Sequence, residues 1–105
     1  MPPKPRIEPI AKLALDVQFS KLDITRLRYD GFDVAVVADI GESDRSWLRR
    51  AAAAGVDMVC SPDADCEIWA YDRNLRFCKL PGNRAVDKVQ LVTRTWSSFA
   101  RRVVR

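Results

Sequence analysis

Four aspartates are the residues of this sequence whose type and spacing can do chemistry. Asp16 ends the apolar run "IAKLALD", Asp44 opens the segment "DRSWLRRAAAA", and Asp63 and Asp65 follow the apolar run "VDMVCS". Converging carboxylates stay ionised at neutral pH only if a positive group shares them, because each negative charge raises the pKa of its neighbours. The chain has no histidine, and an all-oxygen ligand set is typical of Mg²⁺ or Mn²⁺. If the fold brings these aspartates together, we therefore expect a divalent metal site.

Three of the four aspartates also have a purely structural interpretation. Asp44 lies at the start of a predicted helix, where the positive end of the helix macrodipole favours an acid. Asp63 and Asp65 follow a proline and can be turn residues, with Asp63 bonded to its own backbone. Asp16 has no such duty, because it ends an apolar strand well before the next helix begins. Asp16 therefore argues most directly for a metal.

The apolar pattern that must position these acids alternates between strands and helices. Strands are predicted over "IAKLALDVQ", "FDVAVVADI", "VDMVCS" and "LRFCKLP". Helices are predicted over "KLDITRLRYD", after an N-cap at Ser20, and over "DRSWLRRAAAA", between an N-cap at Ser43 and Gly55. The segment "CEIWAYDRN" fits either a short helix or an extended stretch, and a last helix is predicted over about residues 85–104.

Strands that alternate with helices pair in parallel through crossover connections. We therefore expect an α/β fold, a small three-layer sandwich with a mostly parallel four-stranded sheet in which the first strand lies between the second and the third. Ligands of such sheets bind beyond the carboxyl ends of the strands, where the connections diverge. Asp16 would face Asp63 across that edge, and Asp44 would lean over it. We expect Trp47 and Trp96 in the core, on opposite faces of the sheet.

The size and composition indicate one globular domain, since the 105 residues are 48% hydrophobic and 30% charged. The proline-rich residues 1–9 predict a flexible arm, and residues 10–105 predict a single domain. No apolar run approaches the roughly 20 residues of a membrane helix, and the start lacks the apolar core of a signal peptide, so we expect a cytoplasmic protein without a membrane segment. The three cysteines lack CxxC spacing, which favours reduced thiols over a zinc site.

The positive charge of the chain is concentrated near its end. The formal net charge is +4, and the excess lies in the last predicted helix, which carries Arg94, Arg101 and Arg102. Such a helix can bind the phosphates of a nucleic acid. A run of charge can equally form a solvated helix face. Composition leaves both interpretations open.

The segments "LALDVQF", "LRYDGFDVAVV", "GESDRSWLRRAAAAG" and "VDMVCSPDADCE" follow one another in a particular order and spacing within residues 12–69. This pattern resembles the short PIN-like domain family, which is related to VapC-type toxin ribonucleases. The resemblance implies a PIN-like α/β domain with Asp16, Asp44, Asp63 and Asp65 as its catalytic acids. It further implies that Asp16, Asp63 and Asp65 bind the metal and that the hydroxyl of Ser61 supports them.

For function, the resemblance implies hydrolysis of RNA phosphodiesters that depends on Mg²⁺ or Mn²⁺. Arg45 and Arg49, or else Arg94, Arg101 and Arg102 of the last helix, would steer the RNA backbone into the site. The implied partners are RNA and, if the protein is a toxin, an antitoxin protein.

Two other functions are consistent with the same residues. Val17 occupies the position where members of the family often have a second acid, which favours a catalytically inactive PIN-like module that docks a partner protein or nucleic acid. The sequence Lys79-Leu80-Pro81 after a predicted strand also fits a receiver-like domain phosphorylated on Asp63, although the first strand lacks the paired acids usual in that fold.

Overall fold

The computed structural model describes residues 10–82 and 86–103, with side chains as far as residue 99. Strands and helices alternate strictly along these ranges. The strands are β1 (Lys12–Leu15), β2 (Asp33–Val37), β3 (Met58–Ser61) and β4 (Arg76–Lys79). The helices are α1 (Lys21–Tyr29), α2 (Asp44–Ala54), α3 (Ala64–Asp72) and α4 (Lys88–Val103). The arm predicted at residues 1–9 lies outside the described residues.

The four strands form one all-parallel sheet in the order β2-β1-β3-β4. This confirms the predicted α/β sandwich and the central position of β1 between β2 and β3. The chain leaves β1 towards β2, then crosses back over β1 to reach β3 and continues outwards to β4. Connections therefore diverge at the carboxyl ends of β1 and β3, which is where open parallel sheets form a crevice for ligands.

Two apolar clusters, one on each face of the sheet, hold the helices in place. The first joins the sheet to α1 and α4 and includes Leu13, Leu15, Leu27, Val89 and Val92. The second joins the sheet to α2 and α3 and includes Ala14, Trp47, Leu48, Val59 and Phe77. Successive residues of β1 enter different clusters, because strand side chains alternate between the two faces. The sheet is consequently the buried middle layer.

Side-chain caps define where the first two helices begin. Ser20 and Asp23 form a reciprocal capping box at α1, and Ser43 accepts a hydrogen bond from the backbone of Ser46 at α2. Helix α2 ends at Gly55, whose φ of 70° places it in the left-handed region that glycine tolerates. These local signals lie where the sequence predicted them.

The two later helices differ from the prediction in detail. The segment "CEIWAYDRN" fitted either a short helix or an extended stretch. Most of it is helical and belongs to α3, which has Asp63 as its N-cap. Helix α4 begins at Lys88 rather than near residue 85, because the carboxylate of Asp87 accepts hydrogen bonds from the backbone of Val89 and Gln90. An N-terminal aspartate of this kind fixes a helix start through its side-chain acceptor.

The buried tryptophans and cysteines follow the layers. Trp47 of α2 is fully buried against one face of the sheet, as predicted. Trp96 of α4 packs against the opposite face but is only partly buried. The cysteines at positions 60, 66 and 78 are all buried, and none of them forms a disulfide. Of the helices described, none is long and apolar enough to cross a membrane.

Candidate metal site

Asp16 is the first residue beyond β1 and lies at the divergence of the connections. Its side chain is nearly buried, with a relative exposure of 9%. One carboxylate oxygen accepts a hydrogen bond from the backbone N–H of Val17 at 2.6 Å, and the other accepts one from the hydroxyl of Ser61 at 2.7 Å. Ser61 ends β3, is fully buried, and accepts a hydrogen bond from the backbone N–H of Asp63 at 3.0 Å. Ser61 therefore links the two central strand ends and orients Asp16.

Asp44 is the first residue of α2 and is held over the same edge by the core. Its carboxylate accepts a hydrogen bond from Nε1 of Trp47 at 2.9 Å. The ring of Trp47 is completely buried, so the donor is immobilised by packing. The carboxylate of Asp44 is consequently anchored to the α2 side of the crevice.

Side chains from three separate segments converge here. One carboxylate oxygen of Asp16, one of Asp44 and the Sγ atom of Cys66 all lie within 4.8 Å of one another. The neighbouring Asp63 also acts on Asp44, since it contributes to raising the pKa of Asp44. The fold thus brings together Asp16 and Asp44, and it adds Cys66, which the sequence did not single out.

The carboxylates of the site repel one another. The hydrogen bond from Trp47 lowers the pKa of Asp44, but burial, the contact with Asp63 and the negative charge of Asp16 together outweigh it, and the pKa is raised above its ordinary value of 3.8. A raised pKa of this origin means that the ionised form is under electrostatic strain. A cation bound between the carboxylates would relieve that strain.

Cys66 enters the site as a neutral thiol. Its burial raises the pKa to about 12, and the charges of Asp44, Asp63 and Asp16 contribute in the same direction against an opposing hydrogen bond with Ser61. The charged ligands of the site are therefore carboxylates, which suit a hard cation better than a thiophilic one. The sequence feature that could have pointed to Cys66 is the start of α3. With Asp63 as the N-cap, Cys66 is the third residue of the helix and lies over the strand ends.

Asp63 also has a structural role, because its side chain bonds to the local backbone. Asp63 caps α3, and its carboxylate accepts a hydrogen bond from the backbone N–H of Asp65 at 2.9 Å. Asp65 is exposed and lies outside the group of three converging ligand atoms. The converging trio is therefore Asp16, Asp44 and Cys66, whereas the metal ligands predicted from the resemblance were Asp16, Asp63 and Asp65.

The predicted basic residues lie on two different helical layers. Arg45 and Arg49 of α2 line a groove of about 480 Å³ between α2 and α3 that begins at Asp44 and Asp65. Arg94 is exposed on α4, in the opposite layer. Arg101 and Arg102 also belong to α4, but their side chains lie outside the described residues.

Comparison of the chain with family models, with curated proteins and with solved structures gave no match.

Proposed function

We propose that this protein is a metal-dependent ribonuclease of PIN-like type, which hydrolyses RNA phosphodiesters with a Mg²⁺ or Mn²⁺ ion held by Asp16 and Asp44. The observation that carries the proposal is the approach of these carboxylates and Cys66 to within 4.8 Å of one another, at the crevice beyond β1 and β3. Asp63 adds a third acidic group beside Asp44.

The donor set fits a hard divalent cation. Mg²⁺ binds oxygen at about 2.0–2.1 Å, so two oxygens on one ion lie at most about 4.2 Å apart. Ligand atoms within 4.8 Å of one another need only small side-chain shifts to reach that geometry. Among the described residues, no lysine or arginine forms an ion pair with Asp16 or Asp44, so their charge lacks a protein counter-ion. This deficit supports a cation at the site.

The residues divide the work of hydrolysis. A divalent ion, when bound, supplies a Lewis acid and lowers the pKa of a coordinated water. Ser61 and the backbone of Val17 hold Asp16, and Trp47 holds Asp44, so both carboxylates keep their orientation as charge develops. In this proposal Asp63 accepts the proton that the attacking water loses.

The test combines metal binding with RNA cleavage in three proteins. We expect Mn²⁺ to raise the melting temperature of the wild type over its value in EDTA, because a ligand that binds only the folded state stabilises it, by about 2.7 kcal/mol at 100 times Kd. Asp16→Asn should lose both this stabilisation and RNA cleavage. Asp39→Asn is the matched control, because Asp39 is an exposed aspartate just beyond β2, at the same end of the sheet. It should behave like the wild type.

The alternative is an inactive PIN-like module that docks a partner protein or nucleic acid. It is favoured by Val17, an apolar residue that is 42% exposed directly beside Asp16. If Mn²⁺ neither shifts the melting temperature nor supports cleavage, the ribonuclease proposal is refuted and this alternative replaces it.

A further inference from the structure

The groove between α2 and α3 leads away from the candidate metal site. Both helices lie on the same face of the sheet and begin at its carboxyl edge, so their first turns, with Asp44 and Asp65, form the acidic end of the groove. The remaining polar lining is basic and comes from Arg45, Arg49 and Arg73. The charge along the groove therefore changes from negative at the site to positive away from it.

The arginines of the groove are not neutralised by neighbouring acids. Among the residues that the structure describes, Arg45, Arg49 and Arg73 form no ion pair, whereas the adjacent Arg50 of α2 binds Glu42 at 2.6 Å. Arg45 and Arg49 are four residues apart on one helix, about 6 Å along its axis. This spacing is close to that of successive phosphates in an extended single strand.

An aromatic platform lies opposite the two arginines of α2. Trp69 is partly buried in the wall formed by α3, and the guanidinium carbon of Arg73 lies 4.2 Å from the centre of its ring. Arg73 also donates a hydrogen bond to the carbonyl oxygen of Trp69 at 3.2 Å, which fixes the guanidinium over the indole. Indole rings and guanidinium planes are both surfaces on which unpaired bases stack.

We propose that this groove binds a single strand of RNA, with phosphates on Arg45 and Arg49 and a base stacked on the Trp69–Arg73 pair. The inference rests on the proposed ribonuclease function, since it assigns the nucleotides that flank the scissile phosphate. A volume of about 480 Å³ is in the range of small-ligand pockets and is enough for one nucleotide. An acidic peptide could offer carboxylates to the arginines, but it has no bases to stack on the Trp69–Arg73 pair, so the pair favours an RNA strand.

Binding of a labelled uridine oligonucleotide in EDTA tests the groove without cleavage. We expect Arg49→Glu to weaken binding about five- to tenfold at moderate salt and to reduce the slope of log K against log salt by about 0.7, the value for one phosphate contact on a single strand. Trp69→Leu should weaken binding about fivefold or more, because one stacked base is lost. Trp69→Phe keeps an aromatic ring and should retain most of the affinity, and melting temperatures of both variants verify folding.

Lys21→Glu is the control, since it places the same charge change on an exposed residue of α1, in the opposite layer. It should bind like the wild type. Equal losses in Arg49→Glu and in Lys21→Glu would overturn the proposal, as would tighter binding of duplex RNA or displacement of the strand by polyglutamate.

The two proposals fail separately. If Mn²⁺ stabilises the wild type while the groove variants bind the oligonucleotide normally, the groove proposal is overturned and the metal site stands. If Mn²⁺ has no effect while Arg49→Glu and Trp69→Leu lose binding, the groove is supported as an RNA-binding surface and the ribonuclease proposal falls.

Discussion

Replacing Asp44 by asparagine should leave the metal-free protein as stable as the wild type or make it more stable. Asparagine keeps a carbonyl oxygen for the hydrogen bond from Trp47 but removes a charge from the crowded site. Two unit charges 4.8 Å apart repel by about 0.9 kcal/mol in water and about 3.5 kcal/mol at an effective dielectric constant of 20. A neutral acceptor weakens the Trp47 hydrogen bond by roughly 1 kcal/mol. With the repulsion at a dielectric constant of 20, and after about 0.3–1 kcal/mol of lost macrodipole interaction at the start of α2, the net change is a gain of about 1.5–2 kcal/mol in the free energy of unfolding.

The structural interpretation of Asp44 predicts the opposite sign. If the carboxylate only favours the start of α2 and holds Trp47, its neutralisation loses about 0.3–1 kcal/mol of macrodipole interaction as well as hydrogen-bond strength. The variant would then be less stable by about 1 kcal/mol or more. Thermal unfolding in EDTA distinguishes the two, because 1 kcal/mol corresponds to roughly 4–8 °C in melting temperature for a domain of about this size.

The pH dependence gives a second measurement on the same variant. The pKa of Asp44 is higher in the folded state than its ordinary value of 3.8, so the folded protein binds that proton more tightly than the unfolded chain does. Ionised Asp44 therefore destabilises the fold at neutral pH, and this penalty disappears as the pH falls through the raised pKa. The advantage of Asp44→Asn should shrink between neutral pH and about pH 4. A variant that is less stable in EDTA, or that keeps the full Mn²⁺ effect, would refute the reasoning.

Two further variants test the support of the site and the start of α2. Ser61→Ala should lower the free energy of unfolding, measured in urea, by about 2–4 kcal/mol. The substitution leaves Asp16 without its buried hydroxyl donor and the backbone N–H of Asp63 without its acceptor. An unchanged unfolding midpoint would contradict this expectation. The hydrogen bond from Arg50, together with a backbone donor, lowers the pKa of Glu42 from 4.5 to about 2. The Glu42–Arg50 pair therefore stabilises the fold above pH 4.5, and this contribution is lost as the pH falls towards 2. The stability difference between the wild type and Glu42→Gln should therefore narrow over that range in urea titrations, and a constant difference would argue against the pair.

Local interactions explain which parts of the fold were predictable from the sequence. The caps at Ser20 and Ser43 and the left-handed Gly55 involve neighbours a few residues away, so their patterns are visible in the chain itself. The continuous apolar strands and their alternation with helices were enough for the parallel sheet and for β1 at its centre. Helix α3 was ambiguous because Ile68 and Tyr71 are exposed although apolar, which obscures its helical periodicity.

The sequence by itself determined the chemistry that the site can offer, since it contains aspartates at two strand ends and one helix start, and no histidine. Only the tertiary structure decided which groups meet. The hydrogen bond between Asp16 and Ser61 joins residues 45 positions apart and exists because β1 pairs with β3. Cys66 joins the site because Asp63 starts a helix there. The pKa values of Asp44 and Cys66 are raised because burial and charge–charge repulsion depend on distances in space, which spacing along the chain does not contain.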